Sequence, residues 1–127
     1  MADLAPFPDV EDVLADALAG FGETGSEYPA DLEAHLPFVR IRRTGGDDDR
    51  RTDRPLADVE VAAATRAQAW EIARQVQQRL LSGPIRVPGV GIVDRASTQV
   101  GLRHVLHENP NIRCVLATYR PSLRRLT

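Results

Sequence analysis

A single stretch, residues 38–81, sets the strongest constraint on the fold. In residues 38–43 and again in residues 56–64, apolar side chains alternate with charged or small ones, which is the pattern of a strand with one buried face. Gly45-Gly46 and the charged run 47–54 separate these two segments. Because glycine pairs commonly mark turns, the stretch predicts a β-hairpin with a long charged tip.

The hairpin is followed by the clearest helix pattern in the chain. Arg66–Leu81 repeats apolar residues at spacings of three and four, and Thr65 before it is a favoured N-cap. A second amphipathic helix is predicted for residues 8–22, with Asp9 as its N-cap. Each helix has one apolar stripe and therefore needs a surface to pack against.

The remaining segments give weaker patterns. Residues 23–36 predict a long loop that either lies against the body of the protein or is partly mobile. Three apolar side chains can hold this loop there: Tyr28, Leu32 and Leu36.

Residues 90–102 predict an irregular strand with a bulge. Residues 111–120 predict a strand with apolar residues on both faces, which suits a central position, and Pro121 is expected to loosen its pairing.

The elements follow one another in the order α-β-β-α-β-β. This order predicts a single α+β domain over residues 1–127, with two layers, about four mostly antiparallel strands and two amphipathic helices, and with the long charged β-hairpin tip. Across the hairpin, two arginines are expected to face two acids, and each such pair contributes about 0.2–1 kcal/mol. The four residues are Arg40, Arg42, Asp58 and Glu60.

Composition argues against several classes of protein. No apolar run approaches the roughly 20 residues that a membrane helix needs, so no membrane contact is expected. The acidic N-terminus lacks the positive leader of a secretory signal. The single cysteine, Cys114, cannot form an internal disulfide, which suits a reducing compartment or a particle assembled in one.

Charge is distributed unevenly along the chain. Residues 1–39 contain nine acidic residues and no basic one, whereas residues 40–127 contain sixteen arginines and nine acids. Lysine is absent and alanine abundant, which indicates a GC-rich coding genome. The acidic first part is either the solvated face of a helix or a patch that meets the basic part of a neighbouring subunit, since complementary charge fixes orientation.

No arrangement of residues predicts catalysis, and neither a cofactor nor a metal site is expected. His104 and His107 have a spacing seen in metal sites but lack a third ligand nearby. The three consecutive aspartates 47–49 lack the alternate spacing of a calcium loop. Residues 89–91, Gly-Val-Gly, open no helix that would bind phosphate. Cys114 falls in a predicted strand, where a small buried hydrophobic role is expected.

The sequence also resembles a known family. The first amphipathic helix is followed by LPFVRIRRTGG with its Asp-rich tip, then by PLADVEVAAATRAQAWEIARQV and the terminal ATYRPSLRR. In this order and spacing, these segments resemble the tail terminator proteins of long-tailed, siphovirus-type phages that infect actinobacteria. The likeness covers roughly residues 8–125.

The resemblance implies a structural virion protein without enzymatic activity or cofactor. It implies a hexameric ring that caps the finished tail tube, stops polymerisation of the tail tube protein and meets the head-tail connector protein. Phage DNA would pass through the lumen of the ring without sequence-specific binding. The implied location is the tail or neck of the virion, assembled in the host bacterial cytoplasm.

Two sets of charged residues are the interaction candidates. The hairpin tip supplies the docking set, which is Asp47, Asp48, Asp49, Arg50, Arg51, Asp53 and Arg54. The charges considered for subunit contacts or for the lumen are Asp9, Glu11, Asp12, Asp16, Arg40, Arg42, Arg120, Arg124 and Arg125.

Other functions are compatible with the sequence. Another neck, head-completion or tail-completion protein with a similar core is the nearest alternative. A small bacterial ligand-binding domain is less favoured, because an aromatic content of 5% leaves few side chains to line a pocket. A nucleic-acid-binding protein is weaker still, because no basic helix is present.

Overall fold

The computed structural model describes residues 5–125, which form one mixed sheet of six strands, curled into a half-barrel, and two helices. The helices are α1 (Val10–Ala17) and α2 (Arg66–Leu81), and short 3₁₀ turns span Ala19–Phe21 and Leu32–His35. The strands are β1 (Glu23–Gly25), β2 (Phe38–Asp48), β3 (Thr52–Ala63), β4 (Ile85–Val87), β5 (Gly91–Val105) and β6 (Arg113–Arg124). They lie in the order β1-β2-β3-β6-β5-β4, and every neighbouring pair is antiparallel except β1 and β2.

The predicted two-layer α+β arrangement with four strands is wrong, because the molecule is mostly sheet and has six strands. The two strands that the sequence does not predict, β1 and β4, have three residues each. Three residues are too few for an alternating pattern to be recognised. Both strands lie next to glycine or proline residues that favour turns, so their conformation depends on pairing with β2 and β5.

Strands β3 and β6 form the centre of the sheet, which confirms the central position predicted for the last strand. The register between β3 and β6 does not shift along the ladder. Pairing is interrupted only where Pro55 lies opposite Pro121. Neither proline has a backbone N–H to donate, so the interruption falls where it removes the fewest hydrogen bonds. Contrary to the predicted end near residue 120, β6 continues past Pro121, and pairing with β3 resumes at Leu123.

One face of the sheet packs against both helices and is called the helix face here. Its core consists of aliphatic side chains from the helices and the long strands, including Val13, Leu14, Ile41, Val59, Val61, Ala73, Val76, Val93, Val115 and Leu123. A fully buried Val or Leu side chain stabilises a fold by about 1.5–3 kcal/mol, so this layer is the main source of stability. Tyr119 is buried in the same layer, and burial raises its pKa to about 12.

The opposite face is called the open face, and the described chain covers it at one end. There the segment 26–36 packs against Phe38, Ile112 and Cys114, which is the first of the two alternatives predicted for this loop. The side chains that hold it are those expected, namely Tyr28, Leu32 and Leu36. The Tyr28 hydroxyl donates a hydrogen bond to the buried Glu60 carboxylate, and burial together with this contact raises the pKa of Tyr28.

Both predicted N-caps are confirmed. The Thr65 hydroxyl accepts the backbone N–H of Gln68 at 3.1 Å, and α2 has the bounds that the sequence predicts. The Asp9 carboxylate accepts the backbone N–H of Glu11 at 2.9 Å, but α1 is shorter than predicted and continues as a 3₁₀ turn. Each cap satisfies a helix N–H that has no partner within its helix, and is worth about 1 kcal/mol.

Strand β5 is longer than the predicted segment 90–102 and extends to Val105. The predicted irregularity is confirmed, since its register against β6 shifts at three places between Val93 and Arg103. Such bulges increase local twist, which suits a sheet that curls.

Gly46 provides a test of the hairpin geometry. It follows a bulge in β2, has φ +105°, and an added Cβ would lie 2.3 Å from the carbonyl oxygen of Arg54. We expect Gly46→Ala to lower the free energy of unfolding by about 2–4 kcal/mol, because the new methyl group meets backbone atoms at a left-handed conformation. Urea denaturation measures this change.

The matched control is Gly101→Ala, where an added Cβ meets no atom within 4 Å. That substitution should change the free energy of unfolding by less than about 1 kcal/mol. Equal losses in the two variants would contradict the geometry assigned to the hairpin.

Candidate functional site

The charged hairpin tip is an ordered extension of the sheet, which corrects the prediction of a long loop over residues 47–54. Strand β2 runs to Asp48 and β3 begins at Thr52, so only three residues form the turn. The Asp49 carboxylate accepts the backbone N–H groups of Arg51 at 2.7 Å and Thr52 at 2.9 Å. These two hydrogen bonds, followed by one from Arg54, lower the pKa of Asp49. The turn is therefore fixed by its own side chain.

Most of the predicted docking charges pair within the hairpin. Arg54 contacts Asp47 at 3.0 Å and Asp49 at 3.2 Å. Arg43 donates two hydrogen bonds to Asp53, at 2.7 and 2.9 Å, and Asp53 is only 2% exposed. A bidentate arginine–carboxylate pair is geometrically specific, so it stiffens the hairpin.

Three of the predicted docking residues remain available at the tip. Asp48, Arg50 and Arg51 are exposed, and none forms an ion pair within residues 5–125. Asp53 is buried, and Asp47, Asp49 and Arg54 are held by one another. Of the seven candidates, only Asp53 is buried, and Asp48, Arg50 and Arg51 are exposed without an ion pair in the described chain.

Arg125, one of the predicted subunit or lumen charges, instead holds the hairpin to the N-terminal segment. Its Nε donates to the carbonyl oxygen of Arg50 at 2.6 Å, and another of its nitrogens donates to the carbonyl of Ala5 at 2.8 Å. Its guanidinium lies 4.1 Å from the centre of the Phe7 ring. Neighbouring Arg124 donates to Asp94 at 2.8 and 2.9 Å. Both arginines therefore have contacts within the subunit.

The acidic candidates on and before α1 have different roles. Asp9 is the N-cap, and the Glu11 carboxylate accepts the backbone N–H of Arg43 at 2.9 Å. This second contact occupies the outer edge of β2, which has no neighbouring strand at that point among the described residues. Asp12 and Asp16 are exposed and line a shallow groove beside Val90.

Three of the basic candidates share the open face. Arg40 lies 3.3 Å from Glu60 and stacks over the Tyr28 ring, so the predicted pairing with this acid is confirmed. Arg42 is in register with Asp58, as predicted, but the Asp58 carboxylate accepts the Thr118 hydroxyl at 2.6 Å. Arg120 lies on the same face, and its Nε is inaccessible to solvent and has no hydrogen-bond partner in the described chain.

Arg43 was not among the predicted site residues, although the strand pattern predicts which face it lies on. Arg43 follows Val39 and Ile41 at alternate positions, and Asp53 has the phase of Ala57 and Val59 on the partner strand. Alternation therefore puts both charges on the helix face, where a buried charge without a partner would lower the stability of the fold. The pair could have been found in the sequence, because Arg43 and Asp53 are charged residues at strand positions where alternation predicts an apolar side chain.

The residues considered for chemistry are separated. His104 stacks on Trp70 of α2 with ring centres 5.1 Å apart, whereas His107 packs edge-on against Tyr28 on the open face. No group of three potential metal ligands exists among residues 5–125. Cys114 is buried in the core of the open face, as predicted, and burial raises its pKa to about 11. Its thiol is thus poorly suited to act as a nucleophile at neutral pH.

No helix in residues 5–125 has the length and apolar character needed to cross a membrane.

A family model described as phage tail termination protein matches residues 6–93, which is more than half of the chain. The chain belongs to the phage tail termination protein family. Its members are structural proteins of phage tails, a class that is not a type of enzyme. The resemblance drawn from the sequence is confirmed at this level, while the restriction to siphovirus-type phages of actinobacteria stays a prediction.

A solved structure described as the virion of a native gene transfer agent particle contains a chain of similar fold. The TM-score is 0.53 and the identity 17%, with 91% of this chain and 87% of that chain covered. At this identity the likeness shows the fold alone. A search of curated proteins gives no match.

The ion pair between the exposed Arg43 and the buried Asp53 can be tested by removing one partner. Arg43→Met leaves the Asp53 carboxylate buried without its cation, and we expect the free energy of unfolding to fall by about 3 kcal/mol. The double variant Arg43→Met/Asp53→Leu should recover most of this loss, because no charge is then left buried. Urea denaturation of both variants checks the prediction, and a double variant no more stable than Arg43→Met would contradict it.

Proposed function

We propose that this protein caps the completed tail tube as a hexameric ring, ends its polymerisation and joins the tail to the head-tail connector protein. The observation that carries the proposal is the family match over residues 6–93, which includes α1, the β2–β3 hairpin and α2. These elements supply the exposed acidic side chains of α1 and the charged hairpin tip. The protein acts by shape and charge, and it does so in the virion after assembly in the bacterial cytoplasm.

The hairpin is the element proposed to dock on the tube or connector. Its internal pairs, Arg43–Asp53 and Arg54–Asp47, hold it in one conformation before contact. A pre-ordered element loses less conformational entropy when it binds, so more of its contact energy is available for affinity. Asp48, Arg50 and Arg51 then provide charges of both signs at the tip, which favour one orientation of the partner.

The open face is the surface proposed to line the lumen. It carries Arg40 and Arg42 on β2 and Arg120 on β6, with β3 between these two strands. Arginines on a sheet face can contact phosphate groups without reading bases, and such binding is weak and sensitive to salt. That behaviour suits a channel through which DNA must move.

The host is proposed to be an actinobacterium. All sixteen basic side chains are arginine, which fits a GC-rich phage genome.

The docking role of the tip can be measured in a capping assay with purified tail tube protein. We expect Arg50→Ser/Arg51→Ser to raise the concentration needed for half-maximal capping by at least about tenfold. Exposed ion pairs contribute about 0.2–1 kcal/mol each, and two in each of six copies exceed the ~1.4 kcal/mol that equals a factor of ten. Tube lengths by negative-stain microscopy provide the readout.

The matched control removes two arginines from the outer side of α2, as Arg74→Ser/Arg79→Ser, where both side chains are exposed. It should cap tubes like the wild type. Unchanged capping by the tip variant, or an equal loss in the control, would contradict a specific role for the tip.

A further inference from the structure

The sheet ends differently on its two sides. On one side, β1 covers the start of β2 and the Glu11 carboxylate occupies the backbone N–H of Arg43 further along. On the other side, β4 pairs with β5 only over Gly91–Val93. From Arg95 to Val105, the outer edge of β5 has no neighbouring strand within residues 5–125. We call this stretch the β5 edge.

The middle of the β5 edge is also uncovered on both faces of the sheet. Five consecutive residues, Ser97 to Gly101, are exposed, although successive side chains of a strand point to opposite faces. The apolar Val100 is 44% exposed, and Leu106 just beyond the strand is fully exposed. An extended strand with a free edge is a template for pairing with another chain, and proteins usually cover or blunt such edges.

The two sides of the sheet carry opposite charge. The segment 95–107 contains two arginines and two histidines but no acid. Residues 23–28, which contain β1, have two exposed acids, Glu23 and Glu27, and no basic residue, although Glu23 also contacts His35. The later acids of the loop are engaged elsewhere, since Asp31 contacts His35 and Glu33 accepts hydrogen bonds from Asn109 and Asn111. Because β1 and β5 lie toward opposite ends of the strand order, a second copy placed head to tail would bring these complementary charges together.

We propose that the β5 edge binds the acidic β1 side of a second copy of this chain, so that the sheets of neighbouring subunits meet edge to edge. A head-to-tail contact uses two different surfaces of each copy, and it closes into a ring when the rotation between copies allows. This inference rests on the ring in the proposed function and names the surface that builds it. Rotation keeps the open face of every copy, with Arg42 and Arg120, on the same side of the ring.

The bulges in β5 limit what can pair there. Register shifts at Val93/Arg95, Thr98/Val100 and Val100/Arg103 divide the edge into short runs. Short runs disfavour indefinite stacking of identical strands, whereas a partner with a matching short strand can still bind. Strand β1, with three residues, has that length.

Disulfide trapping tests the contact directly. Ser26 and Gln99 are exposed, so a chain with Ser26→Cys and Gln99→Cys should form a ladder of covalent multimers under mild oxidation if the two edges meet. Because a disulfide needs Cα atoms within about 7 Å, Ser97→Cys and Gly101→Cys are tried in place of Gln99→Cys. Native Cys114 is buried and does not compete. The control pair Gln78→Cys/Gln99→Cys, with Gln78 exposed on α2, should give at least tenfold less cross-linked product.

A second variant blocks the edge without touching the core. Gln99 has no register partner on β6, so Gln99→Pro should leave the β5–β6 ladder intact while removing a donor from the edge. We expect this variant to unfold at nearly the wild-type urea concentration but to run as a monomer in light scattering. Single-cysteine chains mixed in pairs should cross-link as dimers and stop there.

The outcomes distinguish the edge contact from the capping ring. Cross-linked ladders together with a monomeric Gln99→Pro variant support the edge contact. Rings that persist in Gln99→Pro, with no cross-link from any of the three pairs, overturn this inference and leave the capping ring standing. Cross-links between two Gln99→Cys copies alone overturn the head-to-tail arrangement. A wild-type chain that stays monomeric with tube protein present overturns both the ring and the edge contact.

Discussion

The antiparallel ladder between β3 and β6 is the interaction on which the rest of the structure depends. These two strands lie at the centre of the sheet, and each contributes side chains to both of its faces. Val61 and Val115 pack under the helices, whereas their neighbours Ala62 and Cys114 belong to the core beneath the segment 26–36. A shift of one residue in this register would exchange the two faces, so the register determines where helices pack and where the sheet stays open.

The same ladder explains why the hairpin is firm. Both β3 and β6 continue beyond the helices, and they pair again after the interruption at Pro55 and Pro121. The start of β3 is thus held between β2 and the end of β6, and the buried Asp53 there is paired with Arg43. The stretch predicted from the sequence as a long charged tip is a paired part of the sheet with a three-residue turn. Only the outermost charges are left for a partner.

Periodicity in the sequence was sufficient to predict the long helix and the long strands, but not the short strands. The sixteen residues of α2 place four buried apolar side chains at spacings of three and four, so its bounds and its Thr65 cap could be predicted. Three-residue strands such as β1 and β4 contain no repeat, and β1 pairs in parallel with a strand that begins thirteen residues after it ends. Their existence depends on tertiary contacts, which is why the predicted four-strand fold class was wrong.

For the candidate surfaces as well, the sequence could not show which contacts form in the folded protein. Charge content located the hairpin tip and the arginines of the open face, but it could not tell which charges pair internally. Arg54 and Arg125 are held by contacts to residues that the folded hairpin and the N-terminal segment bring near them. The β5 edge has no sequence signal, because an unpaired edge is defined by the strand that is missing beside it.

Cryo-electron microscopy of the wild-type protein mixed with purified tail tube protein tests whether the protein caps the tube as a ring. We expect one closed ring at a single end of each tube, with tube growth stopped at that end. Inside the ring, the open face with Arg42 and Arg120 should point toward the lumen. A monomer bound along the side of the tube, or tubes that keep growing past bound protein, would contradict capping by a ring.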